Sequence, residues 1–67
     1  MKLRVNGTMQ DYSEGLQTVA DFLQLPQWQG RQVIVEHNGE VVIKAHWGET
    51  KLADNDVLEL VYFVGGG

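Results

Sequence analysis

Sixty-seven residues without a cysteine make one small domain that neither disulfides nor a thiolate zinc site can staple, so its core must be efficient. Nine acidic against five basic residues leave a net charge of -4, which argues against nucleic acid as a partner and suits a soluble protein steered toward a basic surface. The start, Met1-Lys2-Leu3-Arg4-Val5, lacks the apolar run of a signal peptide and no segment reaches membrane-spanning length, so no membrane association is expected and the expected location is the cytoplasm.

Leu3 and Val5 alternate with Lys2, Arg4 and Asn6, the period of a strand with one buried face. Asn6-Gly7 is a strong two-residue hairpin signal because both residues tolerate positive φ, and Thr8 to Tyr12 should return as an edge strand. Thr18 is placed as an N-cap with Asp21 three positions on, and Val19, Phe22 and Leu23 form one apolar stripe of a short helix. Pro26 stops that helix near Gln24 or Leu25, and so short a helix must be held by packing on a sheet.

Val33 to His37 is β-branched and reads as the third strand. Asn38-Gly39 predicts a second hairpin with Glu40 to Ile43 returning, then a turn at Ala45 to Gly48 and a minor strand at Lys51-Leu52. Asp54-Asn55-Asp56 is a tight turn by composition, and the final strand runs from about Val57 to Phe63. Both the first and last strands look central, which requires them to lie parallel, joined through the helix. The expected fold is α+β, a ubiquitin-like β-grasp with a mixed four- to five-stranded sheet packed on one main helix, an element order that other small α+β rolls share. Residues 1–63 form the domain and 64–67 a flexible glycine tail.

Alternation puts Leu58, Leu60 and Tyr62 on one face of the last strand, and Val57, Glu59, Val61 and Phe63 on the other. An ionised glutamate is almost never buried unpaired, so the Glu59 face is expected to be the solvated one and to carry Val61 and Phe63 with it, the alternative being a loop that covers them or a bulge that swaps the faces near Tyr62. Exposed apolar side chains clustered in this way mark a binding surface. Directly after them come Val64 and the glycines Gly65, Gly66 and Gly67. Three fixed glycines cost too much backbone entropy to be a stabilising strand end. They make a thin thread able to pass where side chains would clash.

The Asn38-Gly39-Glu40 hairpin, Trp47, the Leu52-Ala53-Asp54-Asn55-Asp56 turn and the ending Leu58-Glu59-Leu60-Val61-Tyr62-Phe63-Val64-Gly65-Gly66-Gly67 together resemble the ThiS family, the sulfur carriers of thiamine biosynthesis. The similarity spans essentially the whole chain, and the aromatic-Val-Gly-Gly-Gly ending is its most specific part. Relatives of similar build are the small subunit of molybdopterin synthase and the ubiquitin-like modifiers. The molybdopterin carriers often have prolines before the diglycine, whereas this chain has none after Pro26. Where the family turn commonly reads Asp-Gly-Asp, Asn55 takes the middle place, and asparagine also accepts left-handed geometry.

The resemblance implies a carrier rather than an enzyme, binding no cofactor of its own and monomeric when alone. A ThiF-like adenylating enzyme would supply ATP and magnesium and join AMP to the Gly67 carboxylate. A sulfur donor such as a cysteine desulfurase would feed conversion to a thiocarboxylate, and a ThiG-like thiazole synthase would take the sulfur. Gly65 and Gly66 thread the partner's channel, while Val61, Phe63 and Val64 form the partner-binding surface.

Other signals are weaker. His37 and His46 lack metal-ligand spacing despite Glu36, Glu40 and Glu49 nearby and read as polar surface positions. Ser13 and Thr18 have no base at suggestive spacing, and Trp28 and Trp47 read as lids on the core. A non-covalent interaction domain with an inert tail, or a modifier forming amide bonds to lysines, fits the same chain pattern.

Overall fold

The computed structural model describes residues 1–62. In chain order it contains β1 (Lys2–Val5), β2 (Thr8–Asp11), α1 (Val19–Phe22), β3 (Val33–His37), β4 (Glu40–Val42), a 3-10 turn (Lys44–His46) and β5 (Asp56–Tyr62). The strands form one mixed sheet in the order β2-β1-β5-β3-β4. β1 and β5 pair in parallel, from Leu3 opposite Asp56 to Val5 opposite Leu58, and the other neighbours are antiparallel. The last strand therefore occupies the middle of the sheet.

The two Asn-Gly turns explain the hairpins. Asn6 and Gly7 have φ of 49° and 85°, and Asn38 and Gly39 have 50° and 88°, the double positive φ of a type I′ turn. Asn55 also takes a positive φ of 72°, so the asparagine in the Asp54-Asn55-Asp56 turn does what a glycine would do there. Trp47 closes the sheet edge at β4, where its indole Nε1 donates to the Val42 carbonyl at 2.9 Å.

The expected cap of α1 is present as a reciprocal box. Thr18 Oγ1 accepts from the Asp21 amide at 3.1 Å, and the Asp21 carboxylate accepts from the amides of Thr18 and Gln17. The α-helix is shorter than its spacing predicts, ending at Phe22 instead of Gln24 or Leu25. Pro26 disfavours the α conformation at Leu25, and the chain tightens into i→i−3 bonds from Gln24 to Asp21 and from Leu25 to Phe22. The minor strand expected at Lys51-Leu52 reduces to a single bridge between Lys51 and Thr18.

Leu3 from β1, Val35 from β3, Leu58 and Leu60 from β5, and Val19, Phe22 and Leu23 from the helical segment make the core. Phe22 is fully buried and meets Tyr12 edge-on at 5.4 Å and Trp28 at 6.4 Å between ring centroids. Burying such a ring contributes about 1.5–3 kcal/mol, which is what keeps a four-residue helix folded. Among the described residues no helix is long and apolar enough to cross a membrane.

Candidate functional site

β5 is held along its whole length before it delivers the chain to residue 63. Where β1 runs out, Asn6 continues the pairing: its amide donates to the Leu58 carbonyl at 3.0 Å and its side-chain oxygen accepts the Leu60 amide at 2.7 Å. Asn38 does the same from the other side, donating to the Val57 carbonyl and accepting the Val57 amide, both at 2.8 Å. Both turn asparagines thus serve the hairpin and the central strand at once.

The start of β5 is tied down by Asp56. Its Oδ2 lies 2.7 Å from His37 Nε2 and accepts the Ala53 amide at 2.8 Å, while Oδ1 accepts from Asn38 Nδ2 at 3.1 Å. Burial pushes the Asp56 carboxyl upward, but the bonds from His37, Ala53 and Asn38 outweigh it and hold the group below the usual carboxylate range. His37 is thus not the ordinary polar surface position expected from sequence; its side chain is largely shielded and bonded to Asp56. Among the described residues no group of three or more His, Asp or Glu side chains could hold a metal ion.

At the other end of β5 the two faces differ. Leu58 and Leu60 point into the core and Glu59 is exposed, as alternation requires. Tyr62, expected on the buried side, lies at its margin with 38% exposure, edge-on to Trp28 at 5.6 Å and beneath the Arg31 guanidinium at 4.8 Å. On the outer face Val61 stands opposite Ile34 in register, exposed by 59% and 48% respectively. Val41 and Ile43 extend this apolar surface across β4. Ile34, Val41 and Ile43 escaped the sequence reading although the period that exposed Val61 also runs through β3, where Glu36 marks the solvated side.

Phe63, Val64, Gly65, Gly66 and Gly67, the other expected site residues, lie outside the described residues, as does the boundary between domain and tail. A separate depression of ≈ 560 Å³, lined by Met1, Lys2, Asp11, Glu14, Leu52 and Asp54, sits at the opposite end of β5 from the exit.

A family model described as "ThiS family" matches residues 3–67, which includes the core strands, the clamping asparagines and the glycine ending. The chain belongs to the ThiS family. It is 40% identical over 65 residues to the sulfur carrier protein ThiS of Bacillus subtilis, covering 97% of this chain and 98% of that one. It is 35% identical to the thiamine biosynthesis protein ThiS of Geobacter metallireducens, whose crystal structure superposes with a TM-score of 0.80 over the full length of both chains. A thiazole synthase of Paramagnetospirillum magneticum is 39% identical over 67 residues, which is 20% of its length. The protein is accordingly a sulfur carrier of thiamine biosynthesis with a ubiquitin-like β-grasp fold, and not an enzyme.

Proposed function

We propose that the working group of this carrier is the carboxylate of Gly67, presented on a flexible thread of residues 64–67 by a domain of residues 1–63. The observation that supports this most is the exit of β5: a clamped central strand ends beside an exposed apolar pair, Val61 and Ile34, with only Phe63 and Val64 between the strand and the glycines in sequence. A partner that grips this surface receives the tail in a fixed direction. A terminal carboxyl with a pKa of about 3.5 is ionised at neutral pH. One of its oxygens attacks the α-phosphate of ATP, pyrophosphate leaves, and the acyl-adenylate becomes open to a sulfur nucleophile that displaces AMP.

The adenylating enzyme is of the ThiF type and brings ATP and magnesium; the carrier binds neither. The terminal sulfur of a persulfide supplied by a cysteine desulfurase attacks the adenylate carbonyl and displaces AMP. A thiol reductant then cleaves the S–S bond of the acyl persulfide to leave the thiocarboxylate, and a ThiG-like thiazole synthase consumes that group and returns the carboxylate. The thiazole synthase that contains a region similar to this chain supports the last assignment. Gly65 and Gly66 pass the partner's channel because they lack a Cβ, and Val61, Phe63 and Val64 contact the partner. The carrier works as a cytoplasmic monomer.

Pyrophosphate exchange tests this reading. With a ThiF-type enzyme, labelled pyrophosphate should enter ATP only when the carrier is present, and deletion of Gly67 should abolish exchange. Exchange that survives the deletion would move the chemistry away from the terminus.

A further inference from the structure

Arg31 and Lys44 stand at the tail-exit end of the sheet and border a groove of ≈ 420 Å³ whose apolar lining includes Ile34, Val41, Ile43 and Trp47. Acidic residues outnumber basic ones nine to five in this chain, yet the charged side chains lining the groove among the described residues are Arg31 and Lys44, with Glu36 next to it, opposite Val41. Arg31 is also held in place. Its Nε donates to the Gln27 carbonyl at 2.8 Å and its guanidinium carbon lies 4.8 Å from the centre of the Tyr62 ring. A cation fixed by a hydrogen bond and by stacking on an aromatic face loses little freedom when it meets a carboxylate. The groove is continuous with the Val61 surface through Ile34, which lies opposite Val61 in register.

We propose that this groove receives a segment of the adenylating partner in which an aliphatic side chain is followed by an aspartate or glutamate, the aliphatic group seating between Ile34, Val41 and Ile43 and the carboxylate meeting Arg31 and Lys44. This rests on the carrier function above and adds to it a recognition element separate from the tail. Charge complementarity carries the assignment: an aliphatic floor with a two-cation rim selects an apolar segment bearing a carboxylate and disfavours a basic one. The rim sits beside Tyr62, so the contact also sets the direction in which the tail leaves. On this account the acidic remainder of the domain steers approach, and the basic rim fixes the final position.

The test is binding of the full-length carrier to the ThiF-type enzyme by calorimetry at two salt concentrations. Arg31→Glu combined with Lys44→Glu should weaken Kd by about tenfold or more and flatten its salt dependence. Lys2→Glu combined with Lys51→Glu makes the same change in net charge away from the groove and should leave Kd within about twofold, since rim-free surface charges act weakly. Lys44→Glu alone, which leaves the Arg31 and Tyr62 contact untouched, should still weaken binding by several-fold, and unchanged thermal midpoints would show that the fold is intact. Equal losses in the groove and control pairs would overturn the proposal, because only overall charge would then matter. Unaltered binding by the groove pair, with normal binding by the parent chain, would overturn it while leaving the carrier function standing. A parent chain that does not bind the enzyme at all would remove both. If sedimentation shows a dimer that the groove substitutions dissolve, the occupant is a second copy of the chain and the partner assignment fails.

Discussion

Asn6 Oδ1 accepts the Leu60 amide at 2.7 Å, across 54 residues of sequence. One side chain in the first turn thus secures the central strand of the sheet. The residue does two jobs that different substitutions separate. Asn6→Gly keeps the positive φ of 49° accessible but removes the bond to β5, costing about 1 kcal/mol. Asn6→Ala loses the bond and also strains the left-handed backbone, for about 2 kcal/mol in all. In a domain of this size the two losses correspond to midpoint drops of about 4–8 °C and about twice that. Thermal melts of parent and variants check this: an Asn6→Gly midpoint equal to the parent's would deny Asn6 its bond to β5, and equal midpoints for the two variants would deny its role in the left-handed backbone.

Loss of stability in acid should be linked to Asp56. Its carboxyl is held below the usual carboxylate range in the folded protein, so it contributes stability that is present above its unfolded pKa of about 3.9. That contribution is lost as pH falls through the lower folded value. Asp56→Asn should therefore be less stable near neutrality and show a flatter stability profile below about pH 4. Denaturant melts at stepped pH measure this, and parallel acid limbs for variant and parent would show that Asp56 is not the linked group.

Phe22 is the residue on which the small core depends. Removing a buried phenylalanine ring costs about 3–5 kcal/mol, and a domain this small rarely holds more than about that in total. Phe22→Ala should be largely unfolded at 25 °C, visible as loss of chemical-shift dispersion.

Much of the fold was readable from residue types. The β-branched run at Val33 to His37 forms a strand with those limits. The Asn-Gly pairs make the expected turns, and the parallel β1 and β5 pair follows from two central strands joined through a helix. These features are local, or depend on a period that one strand carries by itself. What stayed hidden needs two distant segments at once. The Asp56 bonds to His37 and Asn38, the Asn6 bond to Leu60 and the Arg31 stack on Tyr62 depend on sheet order and register, which a single strand does not encode. Of the candidate site, the exposure of Val61 was legible because Glu59 shares its face. Its neighbours Val41 and Ile43 join it only once β4 is placed at the edge beside β3.

Val61→Lys places a charge in the apolar surface while leaving the core untouched. Folding stability should change by about 0.5 kcal/mol or less, whereas the KM for the carrier in adenylation should rise about tenfold, as for loss of one apolar anchor. An unchanged KM would remove the Val61 and Ile34 surface from partner recognition.

Gly67→Ala should impair adenylate formation and leave the melting midpoint where it is, since the added Cβ lies at the reacting end of the tail. Pyrophosphate exchange at saturating carrier reads this directly, and parent-like exchange would deny the terminal glycine its steric role.

The most direct test of the central claim is the intact mass of the carrier after incubation with a ThiF-type enzyme, ATP and a sulfur source. The expected product has one oxygen replaced by sulfur, localised to Gly67 by fragmentation and absent when Gly67 is deleted. An unchanged mass in the presence of a demonstrably active enzyme, or sulfur found elsewhere in the chain, would contradict the assignment of the chemistry to the Gly67 carboxylate.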